Sequence, residues 1–213
     1  EDASSHTITV RATDSAGHTI ERELVIDIAD VNETPDELTF TGGSVQENAP
    51  IGTIVASANV SDPDAGETFS YELLDNAGGR FVIDGSGNIV LADGSGLDHE
   101  AADSHEVTVR ATDSAGNTIE RTVVIEVTDV NESPVELAFS GGNVPENAAP
   151  GTVVATAAVT DVDAGDSHTY ELVGDADGRF TIGADGNITV AEGADLNHEA
   201  ASSHTVTVRA TDS

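Results

Sequence analysis

Asp129-Val130-Asn131-Glu132-Ser133-Pro134 recurs as Asp30-Val31-Asn32-Glu33-Thr34-Pro35, 99 positions earlier (129 − 30). The second copy closes a β-branched alternating run, Val123, Ile125 and Val127, and each copy carries a proline that bars simple continuation of a central strand. The hexapeptide therefore reads as a short linker between repeated domains. In an extended segment, residues i and i+2 lie on one side, so Asp129 and Asn131 present their oxygens to the same cation.

Working outward, residues 1–30 align with 100–129: Glu1 with Glu100, Arg11-Ala12-Thr13-Asp14-Ser15-Ala16-Gly17 with Arg110-Ala111-Thr112-Asp113-Ser114-Ala115-Gly116, and Asp30 with Asp129. This divides the chain into residues 1–31, the last strands of one repeat; 32–131, a complete repeat; and 132–213, a repeat that stops before its final strand. Two strands, Thr9 to Ala12 and Leu24 to Ile28, are expected around a turn at Asp14 to Gly17. In the complete repeat, short strands are expected near Leu38–Phe40, Thr53–Val60, Phe69–Leu73, Arg80–Ile83, Asn88–Leu91, Val107–Thr112 and Ile119–Thr128. About seven strands without helical periodicity imply an all-β fold of tandem Greek-key, immunoglobulin-like sandwiches. Ile54, Ala56, Phe81, Ile83, Ile89, Val107, Val109, Ala111, Val123, Ile125 and Val127 are the inward candidates.

The composition narrows the partners. Seven basic residues, all Arg, stand against 40 acidic ones, for a formal charge of −33. Such a surface repels nucleic acid and anionic membrane and attracts cations. No apolar run approaches the roughly 18 residues of a membrane span. With no Cys, disulfides are excluded and stabilisation must come from elsewhere.

The acids are grouped in motifs that return with the same period. Glu47 and Glu146 lie in Glu-Asn-Ala; Asp62-x-Asp64 and Asp161-x-Asp163 each precede Ala-Gly; Asp98-His99-Glu100 is answered by Asn197-His198-Glu199; Asp14, Asp113 and Asp212 end Ala-Thr-Asp; and the linker occurs twice. In this order the motifs resemble those of tandem cadherin repeats. That resemblance covers essentially the whole chain and implies calcium at the junctions of consecutive domains. Carried over residue by residue, one junction takes Glu47, Asp98, Glu100, Asp129, Asn131, Asp161, Asp163 and Asp212, with Glu132 where the family has Asp. The other takes Glu1, Asp30, Asn32, Glu33, Asp62, Asp64 and Asp113, and is expected to bind more weakly. Thr34 and Ser133 replace the second Asn of the family linker, so three calcium ions per junction are not implied.

The donor set agrees with the resemblance on chemical grounds. Calcium takes six to eight hard oxygens in irregular geometry, whereas zinc or copper favours Cys or several His. A turn would account for Asp75, Asn76, Asp175 and Asp177 without any ligand role. It would not account for the matching glutamates of Glu-Asn-Ala and His-Glu-Ala. Asp161-Val162-Asp163-Ala164-Gly165 begins like an EF-hand loop, but the twelfth position is Leu172 and no helices are expected beside it. His99 and His198, lying between candidate ligands, are expected to point away from them on an extended segment. Arg80 and Arg179 are expected to pair with nearby acids. The glycosylation patterns Asn32-Glu33-Thr34 and Asn131-Glu132-Ser133 are read as chance, because a sugar there would obstruct coordination.

No nucleophile elbow, phosphate loop or His-Glu-x-x-His occurs, and carboxylate pairs that recur with the structural period do not describe a catalytic site. The chain is thus expected to be no enzyme. The near-identical, Lys-free, Cys-free repeats look most like cadherin-like arrays of large secreted bacterial adhesins, placed outside the cell or on its surface. Three functions follow: homophilic or cell-surface adhesion with other adhesin molecules, a calcium-dependent carbohydrate or exopolysaccharide module, and a passive spacer. The small aromatic share, 3%, weighs against sugar stacking.

Overall fold

The computed structural model describes residues 4–93 and 96–213, which form strands and turns and no helix. None of it is therefore a helix long and apolar enough to cross a membrane. The chain divides into two compact units, Glu1–Asp129 and Val130–Ser213.

The first unit begins with a hairpin of β1 (Ser5–Thr13) and β2 (Thr19–Asp27), antiparallel and exposed along its length. Its turn is held by the Asp14 carboxylate, whose Oδ1 accepts the backbone N–H groups of Ala16 and His18 at 2.9 and 2.8 Å. A sandwich follows. One sheet has the order β3 (Glu37–Gly42), β5 (Ile54–Ser61), β8 (Asn88–Leu91), β7 (Phe81–Ile83); the other has β4 (Ser44–Gln46), β10 (Thr118–Thr128), β9 (Ser104–Thr112), β6 (Ser70–Asp75). Alternation along β9 turns Val107, Val109 and Ala111 inward, each 0% exposed, opposite Phe81 and Ile89, also 0%. Each fully buried aliphatic side chain of this kind contributes about 1.5–3 kcal/mol. Phe81 also meets the His105 ring edge-on, with centroids 6.3 Å apart.

Two features depart from the sequence reading. Ile54 was an inward candidate, yet it is 58% exposed while Val55 and Ala56 are 3% and 2% exposed. The β5–β8 register shifts between Ile54 and Ala56, and this bulge rotates the strand so that two adjacent residues face the core. The repeat also has an eighth strand, β4, which pairs in parallel with β10. Three residues with one apolar side chain offer no period to read; only the partner defines them as a strand.

Between β3 and β4 the chain passes from one sheet to the other through Gly42 and Gly43, at φ of 89° and 112°. A Cβ on Gly42 would lie 2.7 Å from the Val55 carbonyl oxygen, beside the bulge. Gly42→Ala is expected to cost about 2–3 kcal/mol through left-handed strain and this clash, read as a lower urea midpoint with an unchanged slope. A substitution that leaves the midpoint in place would contradict the crossover role.

The second unit repeats the plan with β11 (Glu136–Gly141), β12 (Val153–Thr160), β15 (Asn187–Val190) and β14 (Phe180–Ile182) in one sheet, and β13 (Thr169–Gly174) paired with β16 (Thr207–Thr211) in the other. Its core holds Phe180, Ile188, Val190 and Leu196, with Val154, Leu172, Val206 and Val208 half-buried around them. Arg80 donates to the backbone carbonyls of Gly96 and Ala77, while Arg179 reaches both the Ala176 carbonyl and the Asp177 carboxylate.

Candidate metal centre

Three groups of acidic residues form at the ends of these strands. The first gathers Asp30, Asn32 and Glu33, which precede β3; Asp62 and Asp64, in the turn after β5; and Asp113, in the β9–β10 turn. The Glu33 backbone N–H donates to Asp64 Oδ2 at 2.7 Å, and Asn32 Nδ2 donates to Asp113 Oδ2 at 2.8 Å. The Asp64 N–H in turn donates to Asp62 Oδ1 at 2.9 Å. Three separate loops are thereby tied to one another through carboxylates. Asp64 and Asp113 are 8% and 6% exposed. Burial acts to raise the Asp113 carboxyl, but hydrogen bonds from Asn32 and Asn117 outweigh it and hold it below the usual carboxylate range. Oxygens of Asp30, Glu33 and Asp64 lie within 4.8 Å of one another. Glu1 lies outside the described residues.

Asp62 Oδ2 and Asp64 Oδ1 are buried and accept no hydrogen bond. A buried carboxylate oxygen without a partner is costly, and two carboxylates about 4 Å apart repel by about 1 kcal/mol in water and about 4 kcal/mol at an effective dielectric of 20. A cation relieves both costs. The donor set, carboxylates with an amide and loop carbonyls, is one that calcium accepts.

The second unit builds the same arrangement from Asn131, Glu132, Asp161, Asp163 and Asp212. The Glu132 N–H donates to Asp163 Oδ2 at 2.7 Å, Asn131 Nδ2 to Asp212 Oδ2 at 3.4 Å, and the Asp163 N–H to Asp161 Oδ1 at 3.3 Å. Asp163 is 7% exposed, and its Oδ1 is buried with no hydrogen-bond partner. Asp64 and Asp163 stand one repeat apart, 163 − 64 = 99, so the orphaned oxygen recurs with the period.

Two residues near this second group went unnoticed in the sequence. His168 replaces Phe69 in register, and its Nε2 lies 2.9 Å from Asp161 Oδ2. That hydrogen bond holds the Asp161 carboxyl below its ordinary range. Asp166 replaces Glu67; burial, then the charges of Asp163, Asp161 and Asp212, push its carboxyl up. Glu67 instead bonds the Ser114 backbone and hydroxyl at 3.3 and 3.2 Å. The only advance signal was that an acid and a histidine replace Glu67 and Phe69 beside the recurring Asp-x-Asp.

The third group belongs to the first unit and lies around Glu47, Asp98, Glu100 and Asp129. Glu47 is 3% exposed, and its Oε2 accepts the His99 backbone N–H at 2.8 Å. Asp98 Oδ1 accepts the Ala101 N–H at 2.9 Å, closing a turn over residues 98–102 that the Ala102 N–H to Asp98 carbonyl bond at 2.9 Å completes. His99 does not turn away as an extended segment would require. A ring nitrogen of His99 and oxygens of Glu100 and Asp129 lie within 4.8 Å of one another. In the second unit, Glu146 Oε2 accepts the His198 N–H at a looser 3.2 Å.

Comparison with known proteins agrees with this architecture. The cadherin domain pattern matches residues 42–128 and 141–213. Human protocadherin-10 is 33% identical over 204 residues, covering 89% of this chain and 19% of its own length. Chicken (Gallus gallus) cadherin-1 is 31% identical over 231 residues, covering 95% of the chain and 26% of its own length. Among solved structures, protocadherin gamma B2 extracellular cadherin domains 3–6 superimpose with a TM-score of 0.72 at 26% identity, covering 99% of this chain and 53% of that one. Mouse cadherin-23 EC22–24 gives 0.65 at 29% identity, covering 98% and 68%. The chain therefore spans about a fifth to a quarter of those two curated relatives. With both repeats matched by the pattern and both folded as β-sandwiches, the chain belongs to the cadherin domain family.

Proposed function

We propose that this chain is a calcium-binding run of extracellular cadherin repeats from a large secreted adhesin of the bacterial kind, and that it serves adhesion to other adhesin molecules or to cell-surface ligands. The observation that carries the calcium reading is the buried, unpartnered Oδ1 of Asp64, repeated at Asp163. Asp30, Asn32, Glu33, Asp62, Asp64 and Asp113 would hold one set of ions. Asn131, Glu132, Asp161, Asp163 and Asp212 would hold a second set, and Glu47, Asp98, Glu100 and Asp129 a third. Bound calcium supplies positive charge to carboxylates that otherwise repel; the chain's contribution is to fix those carboxylates with backbone N–H groups before the ion arrives. The bacterial attribution rests on the absence of Lys and Cys and on the regular 99-residue repetition.

Glycan recognition gains no support from the surface. Of the five Phe and two Tyr, only Phe139 is more than half exposed, and sugar sites commonly rely on exposed aromatic faces. Calorimetric titration with calcium tests the main reading. Asp163→Ala is expected to weaken binding at its site by at least tenfold, whereas Asp75→Ala, which removes only a turn hydrogen bond to the Ala77 N–H, should titrate like the parent chain. Heat signals that are absent in the parent, or equal in Asp163→Ala, would overturn it.

A further inference from the structure

His99 is the one imidazole among the described residues that shares a cluster with two carboxylates at ligand spacing. We propose that His99, Glu100 and Asp129 form a site for a borderline transition cation, zinc being the type ion, at the end of β10. The site rests on the calcium reading only in sharing Glu100 and Asp129 with it.

The ring is held as a ligand is held. His99 Nδ1 lies 2.8 Å from the Val127 carbonyl oxygen. A carbonyl can only accept, so Nδ1 carries the proton in the neutral ring and the lone pair resides on Nε2. Metal-bound imidazoles commonly have this second contact, which sets tautomer and orientation. The backbone is pinned too, since the His99 N–H donates to the buried Glu47 carboxylate at 2.8 Å. Val127, which supplies the carbonyl, is 2% exposed and anchored in β10, two residues before Asp129. One rigid strand end therefore positions both the imidazole and a carboxylate.

Ligand chemistry separates this group from the other two. Apart from His168, which bonds Asp161, those offer oxygens, which suit calcium, while an imidazole with two carboxylates suits zinc, cobalt or nickel. Three protein ligands with a water complete four-coordination, with zinc bonds of about 2.0–2.2 Å, and a ring nitrogen of His99 already lies within 4.8 Å of oxygens of Glu100 and Asp129. The corresponding His198 lies between Asn197 and Glu199, and no His198 cluster of this kind occurs among the described residues. Zinc is thus predicted to compete with calcium for Glu100 and Asp129.

Titration of the 213-residue chain with zinc chloride, and with cobalt(II) followed by its visible absorption, tests this. One zinc site is expected whose affinity falls by tenfold or more in His99→Gln and in Asp129→Asn, while His198→Gln retains it. Zinc should also lower the apparent calcium affinity of the parent chain. Asp129 is exposed, so its variant keeps the test open if His99→Gln misfolds by circular dichroism. Zinc affinity unchanged in both variants, or lost in His198→Gln, overturns the proposal. Zinc binding without calcium binding would sink the calcium reading and leave this one standing; the reverse would sink this one alone.

Discussion

Millimolar calcium is expected to raise the melting temperature of the chain by about 10–20 °C over its value in EDTA. Ligand at about a hundred times its dissociation constant stabilises the folded state by about 2.7 kcal/mol, and each kcal/mol moves the midpoint of a domain of 60–100 residues by about 4–8 °C. The shift is large here because the unliganded state is penalised as well. Asp64 and Asp163 keep a buried carboxylate oxygen without a hydrogen-bond partner, and the formal charge of −33 favours expansion. Because the unfolded chain scatters these carboxylates, its affinity for calcium is low. Far-UV circular dichroism measures the effect. Asp163→Ala should lose much of the response of the second unit, and Asp75→Ala should keep it. Coincident melting curves in EDTA and in calcium would refute the assignment of the acidic groups.

Phe81→Ala should be the most damaging single change in the first unit, at about 3–5 kcal/mol. Phe81 is 0% exposed, lies in β7, and packs in a core that also holds Leu38, Ile89, Leu91, Val107, Val109 and Ile125. Those neighbours belong to paired strands of two four-stranded sheets, so they cannot collapse into the space. Phe180, its counterpart, is 7% exposed and is surrounded by half-buried Val206 and Val208, so Phe180→Ala should cost less. With two units in the chain, unfolding need not be a single transition. Each variant is therefore read on the transition of its own unit in calcium-saturated urea titrations. Equal losses in the two variants would show that the difference in burial has no energetic weight.

The sequence by itself determined the period, the strand-and-turn order, and which acids recur. Repetition at 99 positions makes each strand visible twice, and Val107, Val109 and Ala111 announce their inward face by alternation alone. Asp64 and Asp163 were legible as candidate ligands because Asp-x-Asp recurs in a fixed order with the other motifs. Tertiary structure decided what depends on a distant partner or a local break in period. The bulge that exchanges Ile54 for Val55 in the core exists because β5 must match β8. Strand β4 exists because β10 lies beside it. His99 was misread because alternation applies to extended backbone, and residues 98–102 instead turn on the Asp98 carboxylate and carbonyl. That Asp64 and Asp163 are buried with one oxygen each unpartnered is a property of packing against other loops, and no pattern of neighbouring residues encodes it.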